Sequence, residues 1–261
     1  MKTIKSVLSM ALATALMSAS GVSLAQTSDI ENLQKDMPKN WGKWGDDDQL
    51  GALNYLDEKQ ALRGIKAVRL GETFTLQLPI THGVGPVFPG RVPAMHFMTQ
   101  DESMYSVNKL DELAGGVKYS DDAVFMYLQG TTHMDALGHA WYGDKVYGGV
   151  SADSTVHGHD HVDVGVLAEH GIVGRGVLLD VGHLKGGDVG RLAPGSCITL
   201  QDLKDTAEAQ DVTLEKRDIL LIRTGSVGRF YQEEPDAEWS ATTEPGLCYS
   251  KDLIKWIDNM E

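Results

Sequence analysis

The sequence predicts an α/β fold with a mixed sheet, on the basis of three observations. Two compact apolar runs, at residues 174–182 and 218–225, are flanked by glycine or charged residues. Such runs are typical of strands that are covered on both faces. Residues 199–209, which lie between them, have a helical pattern of apolar positions. Strands that alternate with helices indicate a sheet covered by helices within one domain.

The first 25 residues have the composition of a signal peptide. Lys2 and Lys5 form a short basic start, residues 7–17 are mostly apolar, and small residues precede position 26. The apolar run is too short to span a bilayer. We therefore expect export to the periplasm or outside the cell, no membrane association after signal removal, and a single domain over residues 26–261.

The other elements follow from capping residues, periodicity and turn residues. Acidic residues at one end and basic residues at the other predict a helix over 57–68. Alternation predicts a strand over 73–80, and Thr199 is a plausible N-cap for the helix that follows it. The remaining expectations are an ordered loop at 40–56, a Gly/Pro-rich loop at 83–93, a short helix at 162–170 and a terminal helix within 247–260.

Charge and cysteine content limit the partners and the redox chemistry. The formal net charge of -14 argues against binding to nucleic acid phosphates. A small-molecule substrate and a metal cation are the expected partners. Cys197 and Cys248 are the two cysteines, and an oxidising compartment allows a bridge between them without requiring one.

The stretch QGTTHMDALGH, residues 129–139, concentrates groups that bind metals or move protons. In an extended strand, residues separated by even numbers share a face, so Gln129, His133, Asp135 and His139 would point the same way. On a helix the same residues would scatter. The apolar lead-in at 123–128 also favours a strand that continues into this stretch.

Two interpretations of this cluster remain open from spacing alone. Imidazole nitrogen and carboxylate oxygen are normal ligands for zinc and manganese, so His133 and Asp135 are candidate metal ligands. His139 is then a candidate proton-transfer group. The alternative is structural, with His133 and Asp135 as an ordinary hydrogen-bonded pair at the end of a strand.

Several other polar or aromatic residues are weaker candidates. Phe88 and His96 are candidate substrate-binding residues, although packing is the commoner role for such residues. Asp180 is expected in an ion pair with Arg175 or in a bond with a backbone amide. The histidines of VHGHDH, at positions 157, 159 and 161, are interpreted as part of a polar surface loop outside the active site.

The motif QGTTHMDALGH resembles the signature His-x-Gly-Thr-His-x-Asp-x-Pro-x-His of the cyclase family, metal-dependent hydrolases that include bacterial kynurenine formamidase and isatin hydrolase. Thr132, His133, Asp135 and His139 match it in order and spacing. Gln129 replaces the first histidine, and Leu137 replaces the proline. Four further stretches resemble the longer family members: WGKWGDDDQLGALN, GIVGRGVLLDVG, RDILLIRTG and EPGLCYSKDLIKWI.

The resemblance implies a fold, a cofactor and residue roles. It implies a mixed, barrel-like sheet and a homo-oligomer. It also implies that His133 and Asp135 bind zinc or manganese, with Gln129 as a third contact, and that His139 transfers a proton. Family members continue for several dozen residues with a histidine and a glutamate that complete the active site. We expect that the sequence is incomplete at its C-terminus; the alternatives are that those groups come from elsewhere or that the protein does not catalyse.

Two functions from different classes follow. The first is an exported metal-dependent hydrolase of an amide, lactam or ester in a small aromatic substrate, with arylformamides of the N-formylkynurenine type as the best single example. The second is a non-catalytic periplasmic relative that binds a metal or a small ligand. The substitution at Gln129 and the expected lack of the family's C-terminal segment motivate the second.

Overall fold

The computed structural model describes residues 32, 35–80, 88, 90–159, 161–233, 239–240 and 242–261. The chain divides into two compact units, Met1–Met37 and Pro38–Glu261. The predicted signal peptide lies in the first unit, outside the described residues. Most of the predicted loop at 83–93, which belongs to the second unit, is also outside the described residues. Among the helices of the described part, none has the length and apolar character needed to cross a membrane. The helices and strands whose bounds are described belong to the second unit.

Seven α-helices and six strands are found among the described residues of this unit. The helices are α1 (Glu58–Ala67), α2 (Glu102–Ser106), α3 (Val164–His170), α4 (Val181–Lys185), α5 (Leu200–Ala209), α6 (Ser226–Gly228) and α7 (Lys251–Met260). The strands are β1 (Met95–Gln100), β2 (Asp121–Phe125), β3 (Gly176–Leu179), β4 (Cys197–Ile198), β5 (Ile219–Ile222) and β6 (Gly246–Leu247). Short 3-10 turns connect several of these elements, including Gly51–Tyr55 in the predicted N-terminal loop.

The described strands form three separate pairs. β1 and β2 are antiparallel, whereas β3 with β5 and β4 with β6 are parallel. The core lies around β3, where Leu179 and Val181 pack with Leu203 of α5 and Leu253 of α7. The mixed α/β class is therefore confirmed. These pairs do not close into a barrel within the described residues, so the barrel-like arrangement remains a prediction.

Local capping determines where the two best predicted helices begin. The carboxylate of Asp57 accepts hydrogen bonds from the backbone N–H groups of Lys59 and Gln60 and caps α1. The Thr199 hydroxyl accepts from Asp202 N while the Asp202 carboxylate accepts from Thr199 N, which forms a capping box on α5. The predicted helices over 57–68 and 199–209 are confirmed within one residue at each end.

A buried carboxylate joins α1 to the β3–β5 pair. The Asp218 side chain is only 4% exposed and contacts Arg63 Nη2 at 2.6 Å and Arg175 Nη1 at 2.7 Å. Arg175 is therefore not the partner of Asp180, so that alternative was wrong, whereas the expected bond from a backbone amide is present. Asp180 instead pairs with Arg223 Nη1 at 2.7 Å and accepts a hydrogen bond from His183 N.

The two cysteines form a disulfide. Cys197 of β4 is bonded to Cys248, which follows β6, with a Cα–Cα distance of 4.9 Å. Their proximity follows from the parallel register, which places Cys197 beside Gly246 and Ile198 beside Leu247. The bridge therefore reinforces the shortest strand pair of the fold.

Two strand predictions were wrong. Residues 73–80 have no regular secondary structure, and the apolar side chains of Phe74 and Leu76 are 78% and 72% exposed. β2 ends at Phe125, well before His133, so the motif does not continue a strand. Alternation predicted the strand at 73–80, and shared-face spacing with the apolar lead-in at 123–128 predicted the one in the motif, but neither segment pairs with a strand among the described residues.

Replacement of Asp218 by Ala should destabilise the protein by about 3 to 5 kcal/mol, because it removes the buried carboxylate and leaves two partly buried guanidinium groups with only the longer contacts to the exposed Glu215. Denaturant unfolding measures the change. Glu102→Ala is the matched control, since it removes a carboxylate from the exposed pair with Lys118 and should cost less than about 1 kcal/mol. Equal losses in the two variants would contradict a special role for Asp218.

Candidate active site

The candidate residues lie in a loop that follows β2. A 3-10 turn, Leu128–Gly130, comes first, and residues 131–140 contain only bends and turns. The backbone N–H of His139 donates a hydrogen bond to the carbonyl oxygen of Ala136 at 3.0 Å, which closes the last turn of the loop. The loop geometry, and not the pleat of a strand, determines which side chains meet.

Asp135 lies between the two histidines of the motif. Its Oδ1 is 3.1 Å from His133 Nε2 and 3.9 Å from His139 Nδ1. The side chains of His133, Asp135 and His139 are 27%, 50% and 43% exposed. The predicted convergence of these three residues is thus present, although it arises from a turn, and the group is open to water and small molecules.

The ring of His133 is held in one orientation. Its Nδ1 lies 2.6 Å from the carbonyl oxygen of Thr131, and because a carbonyl only accepts, Nδ1 carries the proton of that hydrogen bond. In the neutral ring, Nε2 therefore presents a lone pair to the Asp135 carboxylate. Two acceptors 3.1 Å apart need a second ring proton or a shared cation between them.

This separation fits the chemistry of a divalent metal ion. Two ligands about 2 Å from a tetrahedral zinc ion lie roughly 3.3 Å apart. A backbone carbonyl that holds the other nitrogen of the imidazole is the usual outer support of a metal-binding histidine. His133 and Asp135 thus fit as two metal ligands, although the described residues contain no group of three or more His, Cys, Asp or Glu residues able to hold an ion.

Gln129 and the threonines of the motif are placed differently from the ligand pair. Gln129 lies half-buried in the 3-10 turn, and in the described part of the chain its amide makes no hydrogen bond to His133 or Asp135. The Thr132 hydroxyl accepts from Leu78 N at 2.8 Å and donates to Leu76 O at 3.4 Å. Thr131 orients the ligand through its carbonyl, and Thr132 ties the irregular segment 73–80 to the loop.

His159, which was expected to lie outside the active site, packs against the motif loop. The imidazole of His159 packs on buried Gly138, where an added Cβ would lie 2.8 Å from both Cε1 and Nδ1 of the ring. Gly138 N also donates to Val162 O at 3.2 Å, and Val162 is buried. A glycine such as Gly138 is compatible with the close approach of another group. No feature of the VHGHDH stretch indicated that His159 makes this contact.

The N-terminal loop braces the same region. Gln49 Oε1 accepts from Val162 N at 2.7 Å. The Asp48 carboxylate accepts from Tyr147 OH at 2.8 Å, from Asn54 Nδ2 at 2.6 Å and from two backbone amides. Partial burial raises the pKa of Asp48, but the bonds from Asn54, Tyr147 and the backbone outweigh it and hold that pKa below its usual range.

His96 and Phe88 make their described contacts with residues outside the His–Asp group. His96 Nε2 contacts Asp122 at 2.6 Å on the exposed β1–β2 ribbon, which consists of Met95–Gln100 and Asp121–Phe125. Phe88 packs on Trp239, with ring centroids 5.2 Å apart. His157 is exposed with a φ of 66°, so that part of the VHGHDH stretch is a surface loop as expected.

Comparison with known proteins gives three findings. The model of the Cyclase family matches residues 68–261. A solved structure described as the "Crystal structure of a novel cyclase" aligns with a TM-score of 0.67 and 38% sequence identity over 75% of this chain. The alignment spans 65% of that solved chain, which is just under two thirds of its length. A search of curated proteins found no match.

The contact between Gly138 and His159 can be tested by a double-mutant cycle. Gly138→Ala should lower stability by about 1 to 3 kcal/mol because the new methyl group overlaps the ring of His159 at 2.8 Å and also comes within 3.0 Å of Val162 Cγ2. His159→Ala should suppress most of that loss when the two changes are combined. Gly138 has no positive φ, so backbone strain does not complicate the result. A double variant as unstable as Gly138→Ala alone would contradict the proposed overlap.

Asp48→Asn should destabilise the protein in a pH-dependent way. The folded-state pKa of Asp48 lies below the ordinary 3.8, so the carboxylate contributes stability above that pH and loses it as the pH falls through the folded pKa. The difference in Tm between wild type and variant should therefore be largest near neutral pH and shrink below about pH 4. Asp46→Asn, at an exposed neighbouring position, is the control. A difference that is constant with pH would refute the assignment.

Proposed function

Because the chain belongs to the cyclase family, we propose that it is a metal-dependent hydrolase that cleaves an amide, lactam or ester bond of a small aromatic substrate. Arylformamides of the N-formylkynurenine type are the best single substrate class. The observation that supports the proposal most directly is the 3.1 Å contact between His133 Nε2 and Asp135 Oδ1. When the imidazole is neutral, both atoms are hydrogen-bond acceptors and repel each other. A metal cation between them would remove that repulsion.

His133 and Asp135 would hold the ion, with Gln129 as a third contact after rearrangement of its turn. A bound divalent ion would supply a Lewis acid for the scissile carbonyl and would lower the pKa of a water molecule toward neutrality. The Thr131 carbonyl would keep His133 in the tautomer that exposes Nε2.

His139 is the proposed proton-transfer residue. Its Nδ1 faces Asp135 Oδ1 at 3.9 Å, which leaves Nε2 on the outer side of the ring, and 43% of the side chain is exposed. The carboxylate of Asp135 lies beside the ring, at a distance longer than a hydrogen bond. His139 could then deliver a proton from Nε2 to the leaving amine or alcohol.

Export and self-association are part of the same proposal. The disulfide between Cys197 and Cys248 supports a periplasmic or secreted location, because such compartments maintain disulfides. Exposed apolar side chains support a homo-oligomer, for example Phe97 and Phe125, which are 52% and 53% exposed on the β1–β2 ribbon. The net charge of -14 supports a small-molecule partner over nucleic acid.

A second candidate function is metal or small-ligand binding without catalysis. One observation favours it: the described residues bring together two good metal ligands rather than the three that catalytic zinc sites usually have. Calorimetry that detects zinc or arylformamide binding without product formation would favour this function. Repeated turnover would remove it.

His133→Ala should release the bound metal and lower turnover of an arylformamide by about a hundredfold or more, since one of two ligands and its oriented ring are lost. Metal content is measured by elemental analysis and turnover by release of the arylamine. His170→Ala, which changes an exposed histidine of α3, is the matched control and should alter neither quantity. Unchanged metal content and turnover in His133→Ala would show that the proposed site is wrong.

A further inference from the structure

Arg91 differs from the other arginines near the protein core. Five arginines contact a carboxylate at 3.3 Å or less: Arg63, Arg175, Arg217, Arg223 and Arg229. Arg91 is half-buried and contacts no carboxylate among the described residues. A partly desolvated cation without a carboxylate partner among the described residues can take an anion that binds from outside.

Aromatic rings surround the guanidinium group instead. Its Cζ lies 4.7 Å from the centroid of Phe88 and 6.0 Å from that of Tyr127. Phe88 in turn packs on Trp239. Phe88 and Tyr127 are 36% and 40% exposed, so the aromatic faces beside the cation remain accessible. A cation next to open aromatic faces is suited to an aromatic ring that bears a carboxylate.

The topology places this group beside the candidate active site. Met95 pairs with Phe125 at one end of the β1–β2 ribbon, so Arg91 and Tyr127 both lie beyond that end. The motif loop leaves from the same end, because the N–H of Gly130 donates to the Tyr127 carbonyl at 3.1 Å and Gln129 lies between them. The aromatic group therefore adjoins the start of the loop that holds His133 and Asp135.

We infer that Arg91, with Phe88 and Tyr127, binds the carboxylate of an anionic aromatic substrate. This inference rests on the proposed hydrolase function and narrows it to aryl amides or esters that carry a carboxylate. Arg91 is a specificity-determining residue in this scheme and takes no part in bond cleavage. Its planar guanidinium can bind both carboxylate oxygens at once, which a lysine cannot reproduce.

Two substrates and two substitutions test the inference. Formanilide is neutral, whereas 2-formamidobenzoate adds one carboxylate to the same ring. Arg91→Met keeps the apolar stem against the rings and removes the charge, and Arg91→Lys keeps the charge without the fork. Both variants should raise KM for 2-formamidobenzoate, Arg91→Met by about tenfold or more and Arg91→Lys by less. Neither should change kcat/KM for formanilide.

Arg69→Ala serves as the charge-matched control, because Arg69 is exposed and remote in sequence from the aromatic group. It should leave both substrates unaffected. Equal losses for the two substrates in Arg91→Met, or no loss for either, would overturn the inference. Thermal unfolding of each variant distinguishes a binding defect from a folding defect.

Calorimetric binding separates this inference from the proposed function. If the wild-type protein hydrolyses neither compound, the hydrolase proposal fails, but the binding of 2-formamidobenzoate can still be measured. Wild type should then bind it at least about tenfold more tightly than Arg91→Met does. The same affinity in both proteins, or no binding to wild type, would refute the role of Arg91.

Discussion

The backbone contact between Gly138 and Val162 is the constraint on which the candidate site depends. Residues 131–140 have no regular secondary structure, so no ladder of hydrogen bonds fixes their conformation. Their geometry is imposed by packing: His159 covers Gly138, the Gly138 amide donates to the Val162 carbonyl, and Gln49 holds the Val162 amide. Three segments that are distant in sequence thereby position the residues around Asp135.

The conformation of this eleven-residue motif therefore depends on contacts with residues that are distant in sequence. His133 receives its orientation from Thr131 within the loop, but the loop receives its position from the 40–56 and 159–162 segments. The β3–β5 pair and its helices supply the buried core, whereas the motif loop lies on exposed, irregular chain. Rigid packing and accessible chemistry are thus divided between two regions of the unit.

The sequence predicted those elements whose causes are local. Asp57 and Thr199 cap their helices through bonds that span two or three residues, and the apolar runs around Leu179 and Leu220 form the two predicted strands. The sequence did not show which distant residues pair. Arg175 binds Asp218, and the proximity of the cysteines depends on the register between two strands that begin 49 residues apart. The convergence of His133, Asp135 and His139 was expected for the wrong geometric reason, since a turn replaces the strand. The contact of His159 with Gly138 arises only in the folded chain.

The bridge from Cys197 to Cys248 closes a covalent ring of chain that contains α5 and β5. β3, which pairs with β5, lies outside that ring, so the main parallel pair joins the cross-linked segment to a part of the chain without a cross-link. In the oxidised chain the unfolded ring has fewer conformations to lose, and its part of the core forms at a lower entropic cost than the open part. Within the second unit, the described residues before Cys197, including the motif loop, therefore rest on noncovalent packing against a region that is already restrained.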